Sequence, residues 1–288
     1  MEFSFFLPTR VVSGEGAVRR EGHLLSALGE TCLIVTGRSA AKQSGALSDV
    51  LAVLEKEEIT AVVYDQVMQN PLVSTCREAG EMAMEIGADF MIGIGGGSPL
   101  DAAKAACVFA TNAISDEELF SGDWGSRPLP LVAVGTTAGT GSEVTRIAVL
   151  TTDGEGKKRS ISADSIFPVI AYVDPRYTHS LPMSITMSTA LDALSHAAEG
   201  YFSSRSDAIN DAMMLPAIAS LENSLRALDR LDGEPVPKEL RSDLFYASVL
   251  AGFSLNKCGT GYCHPLGYVL TEDFGVPHGL ACAIFLPS

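Results

Sequence analysis

Basic residues are scarce in this chain, where 20 lysines and arginines stand against 35 aspartates and glutamates, for a formal net charge of −15. Nucleic-acid binding needs a basic patch to neutralise phosphates, so this balance argues against a nucleic-acid partner. No uncharged apolar run reaches the roughly 18 residues of a membrane span. The N-terminus lacks the basic region and long apolar core of a signal peptide, so we expect a cytoplasmic protein without membrane contact.

The cysteines also lack a pattern. Six are scattered along the chain, and no two form a CxxC pair. In a chain of 288 residues, this predicts reduced thiols rather than a disulfide framework. Cys258 and Cys263 come just before His264, and a metal role for either is the less favoured alternative.

The first part of the chain alternates between short β-rich runs and helical periodicity. Strands are predicted at 31–36, 61–64, 90–94 and 131–134, and helices at 45–57, 74–86 and 99–111. Such alternation indicates a parallel α/β sheet. From Pro182 onward the periodicity is helical, over 185–202, 206–228 and 237–255. We therefore predict an α/β domain over 1–180 and a helical domain over 181–288.

Two glycine-rich loops follow predicted strands. Residues 95–104 read GGGSPLDAAK and open a helix, whose free N–H groups and partial positive charge suit a phosphate. Residues 135–145 read GTTAGTGSEVT and offer hydroxyls to a ribose or pyrophosphate. A tight turn and a polar connection remain the alternatives. If both loops lie at the carboxyl edge of one sheet, they occupy the usual ligand position of open α/β folds.

Four candidate metal ligands form two pairs late in the chain. Asp192 and His196 are four residues apart, a spacing that stacks both side chains on one face of a helix. His264 and His278 are fourteen apart. One carboxylate with three imidazoles suits a borderline ion, Fe(II) or alternatively Zn(II).

Taken together, these segments resemble the iron-containing (group III) alcohol dehydrogenase family. The matching pieces, in order, are Asn70-Pro71, Gly95 to Ser98 with Asp101 and Lys104, Thr136 to Glu143, Asp174-Pro175, Asp192 with His196, and Pro277-His278-Gly279. The resemblance implies a Rossmann-like, parallel-sheet nucleotide domain followed by an all-helical metal domain, in a dehydroquinate synthase-like arrangement. It implies hydride transfer between a nicotinamide cofactor and a small alcohol or aldehyde, with the metal as Lewis acid.

The resemblance also assigns roles to individual residues. It implies cofactor binding by Gly95, Gly96, Gly97, Ser98, Asp101, Thr136, Thr137, Ser142 and Lys158, and metal binding by Asp192, His196, His264 and His278. His264 and His278 are also the expected catalytic residues. Lys157 and Arg159 flank Lys158 and leave its register open. The resemblance further admits a homodimer.

The chain departs from the family pattern at two positions. Many members have a histidine four residues after the ligand that matches His264, where a gapless fit places Tyr268. A rival fit with an insertion would instead put Thr260 in the ligand position. NAD-preferring relatives carry an acidic residue where this chain has Gly37. Gly37 with Arg38 and Ser39 would accommodate a 2′-phosphate, so NADP(H) is favoured over NAD(H).

Length is a third departure. Family members usually continue for roughly another hundred residues, so a truncated helical domain is expected. Two alternatives follow from these departures. One is a glycerol or polyol dehydrogenase of the same fold, and the other is a non-catalytic, nucleotide-binding remnant.

Overall fold

A six-stranded parallel sheet forms the centre of the α/β region. The computed structural model describes residues 3–286. The described residues form eight strands, of which six belong to this sheet. They are β1 (Arg10–Ser13), β2 (Thr31–Gly37), β3 (Thr60–Val67), β4 (Phe90–Gly95), β5 (Leu131–Gly135), β6 (Ile147–Thr151), β7 (Lys158–Ser162) and β8 (Ile170–Val173). The order in the sheet is β1-β8-β5-β4-β2-β3, with every pairing parallel. Strands β6 and β7 form a separate antiparallel hairpin.

Helices cover this sheet and make up most of the remaining chain. They are α1 (Ala17–Arg20), α2 (Ala40–Gln43), α3 (Ala46–Lys56), α4 (Val73–Glu85), α5 (Gly97–Phe109), α6 (Asp116–Leu119), α7 (Met183–Phe202), α8 (Ala208–Asp229), α9 (Lys238–Cys258), α10 (Cys263–Phe274) and α11 (His278–Ala283). Among residues 3–286, no helix combines the length and apolar character needed to cross a bilayer.

The chain divides into two compact units. The α/β unit comprises Pro8–Thr136 and Ser142–Tyr177. The helical unit comprises Thr137–Gly141 and the described parts of Met1–Leu7 and Thr178–Ser288. Residues 137–141, which the sequence analysis includes in the segment 1–180, thus group with the helices. The predicted domain ends Met1 and Ser288 lie outside the described residues.

Both faces of the parallel sheet are buried. Leu33 and Val35 of β2 belong to one apolar cluster, whereas Cys32 and Ile34 belong to the cluster on the opposite face. Alternate side chains of a strand point to opposite faces, so a strand that is apolar throughout requires cover on both sides. The predicted α/β class with a parallel sheet and a following helical region is therefore confirmed.

Several element predictions were wrong in detail. Strands β1 and β8 and the β6-β7 hairpin were not predicted, and neither were α10 and α11. Helix α5 begins at Gly97 rather than at Pro99. Helix α4 begins at Val73 rather than at Ser74. The Ser74 hydroxyl donates a hydrogen bond to Asp153 at 2.5 Å.

Candidate functional site

The predicted metal ligands come together within the helical unit. Asp192 and His196 lie one turn apart on α7, and both are buried. Asp192 Oδ1 is 3.9 Å from His196 Nε2 and 3.4 Å from His264 Nε2. It is 3.7 Å from His278 Nε2. Two donors on one tetrahedral ion, each about 2.1 Å from it, are about 3.4 Å apart, so these distances suit a shared cation.

A glycine brings His278 to this cluster. Gly279 follows His278 at the start of α11, and a Cβ added there would lie 1.8 Å from the Ser188 carbonyl oxygen of α7. Only a residue without a side chain lets the two backbones approach so closely. Any larger residue at position 279 would push α11 away from α7 and carry His278 away from Asp192.

Unpaired polar atoms mark the centre of the cluster. Asp192 Oδ1, His196 Nδ1 and His264 Nε2 are buried, and none has a hydrogen-bond partner among residues 3–286. Leaving such an atom unpaired costs about 1–3 kcal/mol, and more for a charged group. Coordination of a divalent cation by Asp192 Oδ1 and His264 Nε2 would remove that cost. The donor set therefore fits the Fe(II) or Zn(II) ion that the resemblance implies.

The electrostatics of the cluster favour an ionised Asp192 beside a neutral His196. Burial raises the pKa of Asp192, but the nearby imidazoles, His196 foremost, outweigh burial and hold the pKa well below its usual range. Burial lowers the pKa of His196 to about 4, so His196 is neutral at pH 7. Burial also lowers the pKa of His264, but the polar and charged groups around its ring, the Asp192 carboxylate first, outweigh burial and raise the pKa overall. Ligation displaces a proton from His264, so acid pH opposes cation binding.

Glu199 belongs to the site but was missed by the sequence analysis. The His264 Nδ1–H donates to Glu199 Oε2 at 2.5 Å, which directs the Nε2 lone pair toward Asp192. Glu199 Oε1 accepts from the backbone N–H of Cys263 at 2.6 Å. The available signal was its spacing, seven residues after Asp192 and three after His196, which continues one face of α7.

We expect Glu199→Gln to weaken metal binding about 10- to 100-fold, because a neutral amide orients His264 less firmly than a carboxylate does. The dissociation constant for Zn(II), measured by chelator competition, checks this result. Glu222→Gln, on an exposed face of α8, is the control. Equal affinities of Glu199→Gln and the unmodified protein would contradict the orienting role.

Two further side chains border the cluster. The Tyr268 ring stacks nearly parallel to His278, with centroids 5.2 Å apart and an angle of 11° between the planes. Cys282 Sγ lies 3.8 Å from His278 Nε2.

Thr260, the ligand of the rival sequence fit, is exposed, whereas His264 is 1 % exposed and faces Asp192. The geometry favours the gapless fit.

In the α/β unit, the first glycine loop joins β4 to α5. Gly95 has φ of +152°, and a Cβ there would lie 2.6 Å from the Pro99 ring, so the turn requires glycine. Gly97 and Ser98 lie in the first turn of α5, and that turn contains no acidic residue. Its free N–H groups and positive dipole end form a ready anion site. Gly96 precedes the helix in extended conformation.

The predicted cofactor residues Asp101 and Ser142 engage each other around a buried lysine. Lys104, which is 0 % exposed, donates to the Ser142 carbonyl at 2.8 Å and to the Ser142 hydroxyl at 2.7 Å. It also donates to Thr145 Oγ1 at 2.9 Å and to the Ile147 carbonyl at 2.7 Å. The Ser142 hydroxyl in turn donates to Asp101 Oδ1 at 2.6 Å. This network attaches the segment after the second glycine loop to α5.

The remaining predicted cofactor residues are spread along strand ends. Thr136 directly follows β5 and is buried, whereas Thr137 is half-buried. Lys158 opens β7 opposite Thr151. Its neighbours Lys157 and Arg159 form ion pairs with Glu155 at 2.8 Å and Glu117 at 2.7 Å. Strand alternation directs Lys158 away from both neighbours.

Gly37 ends β2, and the two residues after it are exposed. The guanidinium group of Arg38 donates to the Gln66 side-chain oxygen at 3.3 Å. Lys42 lies on α2, where its ammonium group pairs with Asp65 at 2.7 Å. Ser39 precedes α2, and its side chain makes no cap hydrogen bond. The strand end thus carries two cations, of which Lys42 is paired with a carboxylate and Arg38 with an amide oxygen.

Comparison with known proteins identifies the family. The pattern described as "Iron-containing alcohol dehydrogenase" matches residues 8–175, and "Fe-containing alcohol dehydrogenase family, C-terminal" matches residues 186–288. Alcohol dehydrogenase 4 of Schizosaccharomyces pombe is 35 % identical over 286 residues, which cover 98 % of this chain and 67 % of that protein.

Solved structures agree with this assignment. An iron-containing alcohol dehydrogenase from Thermotoga maritima matches with a TM-score of 0.90 and 39 % identity, over 98 % of this chain and 76 % of that one. A sulfoacetaldehyde reductase from Bifidobacterium kashiwanohense, solved with NAD⁺, matches with a TM-score of 0.89 and 31 % identity, over 98 % and 74 %. The predicted resemblance is confirmed, and the chain belongs to the iron-containing alcohol dehydrogenase family, a group of nicotinamide-linked oxidoreductases of alcohols and aldehydes.

Proposed function

We propose that this chain catalyses hydride transfer between a small alcohol or aldehyde and NADP(H), with a divalent metal held by Asp192, His196, His264 and His278. The observation that carries the proposal is the convergence of three imidazoles on Asp192 Oδ1, at 3.4 to 3.9 Å. A bound Fe(II) or Zn(II) ion would supply a Lewis acid toward the substrate oxygen, and the nicotinamide would exchange hydride with the adjacent carbon.

The chain's own contribution is to hold and orient these groups. Asp192 supplies the negative charge that favours a cation, and Glu199 keeps His264 in the tautomer that exposes Nε2. The stacked ring of Tyr268 restricts the orientation of His278. We propose that the half-buried side chains of Tyr268 and Phe253 also line the substrate pocket.

For the cofactor, we propose that the backbone of Gly95, Gly96, Gly97 and Ser98 binds the pyrophosphate at the α5 N-terminus. The free N–H groups and the helix dipole support this assignment. Thr136, Thr137 and Lys158 would contact the remaining dinucleotide. Asp101 and Ser142 would act chiefly through their bonds to each other and to Lys104, because the Ser142 hydroxyl is already engaged on both sides.

Cofactor preference is the finer part of the proposal. Gly37, Arg38 and Ser39 lack the carboxylate that would repel a 2′-phosphate, and two cations lie at this strand end. NADP(H) is therefore proposed over NAD(H). The related sulfoacetaldehyde reductase was solved with NAD⁺, so both cofactors need to be measured.

We expect Gly37→Asp to shift the ratio of kcat/KM for NADPH over NADH by about 10- to 100-fold toward NADH, because a carboxylate repels a 2′-phosphate by roughly 1.4–2.8 kcal/mol. A Cβ at this position would lie 3.2 Å from the Val67 carbonyl, so the strand end must yield slightly. Gly37→Asn is the matched control because it adds the same bulk without the charge. A ratio that moves equally in both variants would refute the charge argument.

The experiment that tests the function is elemental analysis of anaerobically purified protein, paired with NADPH oxidation in the presence of a panel of short aldehydes. One iron or zinc per chain with turnover is the expected result. Cofactor binding with neither metal nor turnover would overturn the proposal in favour of a non-catalytic, nucleotide-binding protein.

A further inference from the structure

Cys282 contributes a fifth candidate donor to the metal cluster. It lies four residues after His278, on the same face of α11, and is 0 % exposed. Cys282 Sγ is 3.8 Å from His278 Nε2 and 3.9 Å from His278 Nδ1. One donor atom each from Asp192, His264, His278 and Cys282 lie within 4.8 Å of one another.

A second observation separates Cys282 from an ordinary buried cysteine, which packs as a small apolar group. Asp192 and His264 belong to the same group of candidate metal ligands as Cys282. Asp192 Oδ1 and His264 Nε2 are both buried, and neither has a hydrogen-bond partner among residues 3–286. These side chains are 4 % and 1 % exposed, respectively. Two unpaired atoms that can bind a metal lie beside a thiol, and this arrangement indicates a metal ion that all three contact.

The packing of α10 leaves room for this thiol. Gly267 faces Cys282, and a Cβ added at Gly267 would lie 2.9 Å from Sγ. Cys263, the other thiol beside His264, instead contacts the Phe285 carbonyl at 3.4 Å. Cys282 is the only cysteine in the metal-binding group found within the described part of the chain.

We propose that Cys282 is a thiolate donor to the cation held by Asp192, His264 and His278, and that it makes the site retain Zn(II) in preference to Fe(II). This inference rests on the proposed metal function. On binding, the Cys282 S–H bond breaks, a sulfur–metal bond forms, and the proton passes to solvent. The physical reason for the preference is that a soft sulfur ligand favours zinc, whereas carboxylate and water ligands suit harder ions.

The test uses the full chain loaded anaerobically with Co(II), a spectroscopic substitute for Zn(II). A sulfur ligand gives an intense near-ultraviolet charge-transfer absorption that nitrogen and oxygen ligands do not give. We expect this absorption in the unmodified protein, its loss in Cys282→Ser, and its retention in Cys258→Ser, which removes another buried thiol of the helical unit. The preference for Zn(II) over Fe(II), measured by competition, should fall in Cys282→Ser alone.

The outcomes separate this inference from the proposed function. One bound Co(II) per chain without charge-transfer absorption in the unmodified protein would overturn the role of Cys282 and leave the proposed function standing. Absorption that persists in Cys282→Ser would do the same. An unmodified protein that binds no divalent ion would overturn both proposals. Because the first outcome needs only the unmodified protein, a variant that fails to fold does not block the test.

Discussion

Asp192→Ala is expected to abolish metal retention and to lower kcat/KM roughly 1000-fold or more, while NADP(H) affinity changes little. Asp192 is the only carboxylate whose oxygen lies within 4 Å of His196, His264 and His278 in the described chain. Its loss removes the one carboxylate that these three imidazoles share. Lewis-acid stabilisation is worth several kcal/mol, and each 1.4 kcal/mol is tenfold in rate.

Three measurements check this prediction: metal content by elemental analysis, turnover of an aldehyde with NADPH, and cofactor affinity by fluorescence titration. Asp243→Ala, on the exposed face of α9, controls for the loss of an acidic residue from a helix. Cofactor affinity is informative because the proposed phosphate loop lies in the α/β unit. A fully active Asp192→Ala protein would eliminate the ligand assignment.

The sequence predicted the pairing of Asp192 with His196 from local geometry alone. An i,i+4 spacing on a helix is sufficient, and the structure has both residues on α7. The spacing of His264 and His278 contains no such information, because α10 ends at Phe274 and the chain turns before α11. Ligand chemistry and the family resemblance, rather than spacing, linked the two pairs. Their approach depends on the long-range packing of Gly279 against α7.

For Glu199 and Cys282, helical spacing to a predicted ligand was visible in the sequence but was not enough to assign either residue to the site. Glu199 is three residues after His196, and Cys282 is four residues after His278. Acidic residues and cysteines at helical spacings are common, so neither is informative until the partner elements are known. The same limit applies to β1 and β8, four-residue strands that are defined by pairing with each other rather than by a local pattern.

The second glycine loop illustrates a different limit. The glycines and hydroxyls in 135–145 predict contacts to a cofactor, and the sequence shows Lys104 only as part of a motif. The structure has Lys104 inside the protein, bonded to Ser142, Thr145 and Ile147. A lysine is almost never fully buried without partners, so only its environment reveals its role. Two hydroxyls of this segment, those of Ser142 and Thr145, thus bond to the lysine.

Lys104→Met is accordingly expected to lower the free energy of unfolding by about 3–5 kcal/mol at pH 7, the usual cost of removing one partner from a buried charged network. Burial raises the pKa of Asp101, although Lys104 opposes that rise. Burial also raises the pKa of Glu143 to about 7, and Glu143 Oε1 has no hydrogen-bond partner within residues 3–286. Without the ammonium group, ionisation of either carboxyl group would lack a compensating charge.

The raised pKa values of these carboxyl groups determine how the destabilisation by Lys104→Met changes with pH. A carboxyl group whose pKa is higher in the folded than in the unfolded state contributes stability below the unfolded value, and that stability is lost as pH rises through the folded value. Asp101 and Glu143 can take up protons in the variant at pH 5, so the destabilisation should be smaller there than at pH 7. Urea unfolding at both pH values measures it. Lys56→Met, an exposed lysine at the end of α3, is the control and should change little. A destabilisation by Lys104→Met that is equal at both pH values would show that Lys104 does not compensate these carboxylates.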